Sequence, residues 1–174
     1  MAIGKGSKVY LEVANNIKGL TMGVVVAIDP SIGSSSSMPG WAVYRASILI
    51  ESGVISLPRE KALVPRLRAL ARSMRDIYRK YLPDVLVYEE IPAQRHGFGN
   101  AEAHASLLKA VGVILSVEGP ETAVGIYPVS WKGMVSDHYV KSDEEDAREI
   151  GRIVIAQAFL QQQATEVVKK EKKK

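Results

Sequence analysis

The chain has 174 residues, a formal net charge of +4, 47% hydrophobic and 24% charged residues, a balance that suits one folded domain around one core and excludes disorder throughout. Cysteine is absent, so disulfides, thiolate metal sites and cysteine nucleophiles are excluded and any metal is expected to be held by oxygen. No apolar run reaches the roughly 18–20 residues of a membrane span, and the amino terminus lacks a signal-peptide pattern, so the expectation is a cytoplasmic protein with no membrane partner.

Residues 1–22 hold scattered Gly and Asn with no sustained period and read as an extension ahead of a domain over 23–165. Val24 to Ile28 is a continuous apolar run, the pattern of a strand buried on both faces, and it ends at Asp29-Pro30. A Gly/Ser/Pro loop follows over 31–40, then two runs, Trp41 to Tyr44 and Ile48 to Leu57, close enough to pair as antiparallel strands. Leu63, Leu67, Leu70, Met74, Ile77 and Tyr81 recur at spacings of three and four, which predicts one helix face, while Arg68, Arg72, Arg75 and Arg79 mark the other. Asp84 to Tyr88 predicts a second buried strand that delivers Glu89-Glu90 at its end. Asn100 is placed to cap a helix to about Val117, Thr122 to Val129 reads as a strand, and Ser142 as the cap of a last helix. Gln161 to Gln163 and a basic tail over 166–174 are expected to fray. Lys169 to Lys174 hold five lysines and one glutamate, which leaves residues 1–168 neutral, so net charge alone says little about a polyanion partner. Three strands followed by alternating helix and strand predict a mixed α/β sheet flanked by helices, with the first strand and the Asp84 to Tyr88 strand central.

The two most buried-looking strands each end in a carboxylate, Asp29 and Glu89, and an acidic turn from Asp143 to Asp146 opens the last helix. Ligand sites of α/β sheets gather at such strand ends, and positions i and i+3 share a helix face, so Asp143 and Asp146 can point together toward the sheet. Such a cluster repels itself unless divalent cations sit among its members, and oxygen donors suit Mg2+ or Mn2+. Two such ions can activate water and stabilise the leaving oxygen of a phosphodiester, so the chemistry indicated is phosphodiester hydrolysis. Each signal alone has a plainer reading: an Asp-Pro is commonly a turn, and an acidic first turn commonly complements a helix dipole. The arginine stripe is commonly a solvated face, His96 and His104 read as loop and helix-surface residues, and His138 as a polar loop residue.

Taken together, VVVAIDPS with GWAVY, LPDVLVYEEIP, NAEAHASLLKAVGVIL and DEEDAREIGRIVIA resemble the RuvC-type Holliday junction resolvases of the RNase H-like superfamily, especially their phage and viral branches, over roughly Val24 to Phe159. The resemblance implies an RNase H-like fold and a homodimer that cuts branched DNA, above all four-way junctions. It implies two Mg2+ ions held by Asp29, Glu89, Asp143 and Asp146, with Mn2+ able to substitute. It also implies that Lys132 in PVSWKG, and Lys141, match lysines that approach the scissile phosphate. The loop Pro92 to Gly99 (PAQRHGFG) stands where resolvases reach the junction centre, which makes Phe98 a candidate aromatic wedge and adds Arg95 to the DNA-contact candidates. The alternatives are another RNase H-like nuclease acting on RNA hybrids, flaps or RNA precursors, and a catalytically silent nucleic-acid-binding protein of the same fold.

Overall fold

The structure is a computed structural model and describes residues 17–32, 38–59, 62–91, 101–135 and 141–171. Helix α1 (Ile17–Met22) leads into strand β1 (Val24–Asp29), followed by β2 (Gly40–Arg45), β3 (Ile48–Val54), α2 (Leu63–Tyr81), β4 (Val85–Glu89), α3 (Ala101–Ser116), β5 (Thr122–Ile126), α4 (Pro128–Trp131) and α5 (Asp143–Glu171). The five strands form one sheet in the order β3-β2-β1-β4-β5. The pairs β1 with β2 and β2 with β3 are antiparallel, and β1 with β4 and β4 with β5 are parallel. This is the expected mixed sheet, with β1 at its centre and β4 beside it.

Because side chains alternate along a strand, each central strand feeds two cores. Val25 and Ala27 of β1 and Val85 and Val87 of β4 face the layer of α5, where they meet Ile150, Val154 and Ala158. Val26, Ile28 and Leu86 face the opposite layer, α2 and α3, and meet Leu70, Met74, Ile77, Ala110 and Ile114. Arg68, Arg72, Arg75 and Arg79 stay exposed on the outer side of α2.

The elements depart from the sequence reading at three places. The stretch taken as an extension contains α1, whose Leu20 is fully buried and whose turns lie against α5. A six-residue helix with one deep anchor is too short to show a period, which is why the pattern missed it. The β2–β3 hairpin turns through Ala46 and Ser47, both at positive φ, and Ser47 Oγ donates to the Thr21 carbonyl at 3.1 Å, so α1 braces the hairpin. The apolar run from Thr122 to Val129 is strand only to Ile126, because Pro128 at the first helical position starts α4. Finally, α5 continues through the glutamines to Glu171 instead of fraying at Gln161, consistent with the good helix propensity of Gln, Ala and Glu. Among the described residues no helix is long and apolar enough to cross a membrane.

Candidate active site

Strand parity builds the site. Asp29 continues the Val25, Ala27 face of β1, and Glu89 the Val85, Val87 face of β4, so both carboxylates leave the sheet on the α5 side. The parallel register pairs Ile28 with Tyr88, which makes Asp29 and Glu89 the next pair on strands that lie about 4.8 Å apart. Both are buried, Asp29 at 5% and Glu89 at 8% exposure. Glu90 turns to the opposite face, where it accepts a hydrogen bond from Tyr127 Oη at 3.1 Å. The neighbouring acids are thereby separated.

Helix α5 brings the second pair. Ser142 caps it, with its Oγ accepting from the Glu145 amide at 3.2 Å. In the first turn Asp143 Oδ2 accepts from the Met38 amide at 3.2 Å. Glu144 and Glu145 are engaged elsewhere: Ser52 Oγ donates to Glu144 at 2.8 Å, and Arg148 pairs with both glutamates. That division leaves Asp143 and Asp146 to press on Asp29. Burial, then Glu89, Asp146 and Asp143 in that order, hold the Asp29 carboxyl well above its ordinary value, against a smaller opposing pull from Lys132. Burial also raises Glu89, with Lys132 and the Trp131 hydrogen bond opposing it. A helix N-terminus offsets part of such crowding.

Lys132 stands at this cluster, its Nζ 3.8 Å from Glu89 Oε2 and 5.2 Å from the Trp131 ring centre. The turn that carries it is tied down by Arg152, which donates to the Met134 carbonyl at 3.1 Å while pairing with buried Glu149. Trp131 is a residue the sequence reading did not assign. It is fully buried, and its Nε1 donates to Glu89 Oε2 at 2.9 Å. A buried tryptophan beside a lysine reads as core from sequence, and only the fold brings it to Glu89.

The other candidates separate from this centre. Lys141 is exposed two residues ahead of Asp143, and no hydrogen bond or ion pair among the described residues joins it to the carboxylates. Arg95, Phe98, His96 and His138 lie outside the described residues. His104 is buried on α3 instead of lying at the helix surface. The arginine stripe belongs to the layer opposite the carboxylates, so it does not stand beside the acidic cluster.

The donor set is all oxygen, crowded, buried and self-repelling, which fits hard divalent cations. Among the described residues no three acidic or histidine side chains already surround one point at ligand distance. The mutual electrostatic pressure on Asp29 shows that the acids are neighbours, so the cluster is a set of converging charges and not a finished coordination shell.

No family model and no curated protein sequence matches the chain. Solved structures do. Thermus thermophilus RuvC in complex with a Holliday junction substrate is 16% identical with a TM-score of 0.58, covering 80% of this chain and 95% of that one. A second Thermus thermophilus RuvC structure is 14% identical with a TM-score of 0.55, covering 80% and 96%. The yeast mitochondrial Holliday junction resolvase Ydc2 is 11% identical with a TM-score of 0.59, covering 92% and 95%. At these identities the likeness is one of fold, which the chain shares with these RuvC and Ydc2 structures.

Proposed function

We propose that the chain is a metal-dependent endonuclease that resolves four-way DNA junctions by two-metal-ion phosphodiester hydrolysis, acting as a homodimer. The observation that carries this reading is the pairing of Asp29 and Glu89 at the ends of adjacent parallel strands, with Asp143 and Asp146 of α5 bearing on Asp29. The shared fold with proteins described as Holliday junction resolvases supports the substrate class. Asp29, Glu89, Asp143 and Asp146 would hold Mg2+ or Mn2+, which when bound supplies an activated water and neutralises phosphate charge. Trp131 keeps Oε2 of Glu89 occupied and so orients the carboxylate, and Lys132 supplies a cation where a phosphodiester would approach. A symmetric junction needs two cuts related by a two-fold axis, which an isologous dimer provides.

The test is purified protein on a four-way junction, a linear duplex, a flap and an RNA–DNA hybrid, with and without Mg2+ or Mn2+, alongside its mass in solution. Paired, cation-dependent nicks confined to the junction, made by a dimer, are expected. Preference for the hybrid or flap would move the chain to another nuclease of this fold, and junction binding with no cleavage in either ion would mark a silent binding protein.

A further inference from the structure

The arginine face of α2 is a charged surface that the acidic cluster does not use. Arg68, Arg72, Arg75 and Arg79 are all exposed. Neither Arg75 nor Arg79 pairs with an acid among the described residues, although Asp76 shares the helix. At the carboxyl end of α2 these two line a cavity of about 490 Å3 together with Tyr78, Leu82, Pro83, Glu118, Gly119 and Pro120. The cavity sits at the edge where β4 and β5 begin, the opposite end of the sheet from Asp29 and Glu89.

Behind one wall, closed off from the cavity, lies an unmet donor. Tyr78 is 4% exposed, and its Oη is buried with no hydrogen-bond partner. Burial pushes its phenol well above the usual value, which keeps the O–H in place. A buried hydroxyl without a partner is uncommon and calls for an explanation. Its position is enforced, because a side chain at Gly119 would collide with the Tyr78 ring.

We propose that this cavity is a phosphate-binding site, in which Arg75 and Arg79 take the anion and the Tyr78 ring forms part of the wall. Arginine's planar fork suits phosphate oxygens, and the volume falls within the range of small-molecule sites. The phosphate has two sources, a free mononucleotide or the backbone of a DNA arm that runs past α2. Glu118 at the same wall limits affinity for an anion. The proposal is independent of the junction-cleaving reading, since no residue of the acidic cluster takes part.

The experiment measures binding of adenosine monophosphate and of a short linear DNA duplex to the full chain in EDTA, so that no divalent ion carries phosphate to the carboxylates. The double variant Arg75→Ala/Arg79→Ala is expected to weaken binding by about tenfold or more, and Glu118→Gln to tighten it. Tyr78→Phe is expected to raise the Tm of the free chain, because it removes the unmet hydroxyl, and to leave phosphate binding as it was, because that hydroxyl is closed off from the cavity. If the source is DNA, the double variant lowers the slope of log K against log salt by roughly 0.9 per arginine, and adenosine monophosphate competes with the duplex. If the source is a nucleotide, only the monophosphate responds. Binding of neither probe, or binding unchanged in the double variant, overturns the proposal. The second outcome with a lowered Tm would show that the arginines serve only to offset the negative end of the α2 dipole.

Discussion

Asp29 concentrates the electrostatics of the site, and its substitution separates folding from chemistry. Its carboxyl ionises near 3.8 when unperturbed but holds its proton to higher pH in the fold. Between those values the folded state binds more protons than the unfolded one, so stability falls as pH rises through that window. Asp29→Asn should therefore raise the Tm of metal-free protein at neutral pH, by about 2–4 °C for each kcal/mol of repulsion relieved, flatten the decline, and abolish cleavage with junction binding retained. Added Mg2+ should raise the Tm of the parent chain and not of the variant; equal responses would remove Asp29 from the ion site. Parity gives the second test: Glu89→Gln should be inactive and Glu90→Gln active, and the reverse result in the cleavage assay would place the site on the other face. For Trp131, replacement by Phe keeps an aromatic ring, though a smaller one, and deletes the N–H that lowers the Glu89 pKa. The expected outcome is a loss of about 1.5–3 kcal/mol of stability and an acid limb of the pH–rate profile displaced to higher pH. A purely structural tryptophan would change the first and leave the second.

At the scale of elements, α1 is where the sequence reading and the structure part most. Removing residues 1–16 leaves α1 in place, whereas a truncation through Thr21 takes away Leu20 and the carbonyl that accepts from Ser47. Leu20→Ala should cost about 2–5 kcal/mol, as a large-to-small change in a filled core does, and the truncation through Thr21 at least as much, read by chemical denaturation. Indifference to both would mean that α1 contributes nothing to the domain. The strands β1 and β4, helix α2 and the start of α5 were legible because each repeats its period over enough residues to stand out. The four carboxylates were legible because each ends or opens such an element. Trp131 was not, since it lies 42 residues from Glu89 in the chain and a local pattern carries no information about contacts made across the sheet. The short α4 and the continuation of α5 past Gln161 escaped for a different reason: propensity decides them, and propensity is a weak signal next to periodicity.

At the scale of the molecule, the sheet and α5 each carry half of the acidic cluster, and their separation is fixed where they touch. One such contact is Gly40, at the start of β2, where an added Cβ would collide with the Asp143 carbonyl oxygen; another is Gly151, where α5 lies close against Tyr44 and Ala27. These glycines act as the thickness of a gasket between two machined faces. Gly40→Ala should lift the first turn of α5 without altering any acid, so cleavage should fall while the pH window set by Asp29 narrows toward what burial and Glu89 produce without the two helix acids. The pH dependence of stability then becomes a ruler: a series of side chains of increasing size at position 40 would read out how far apart the two halves can stand before they cease to sense each other.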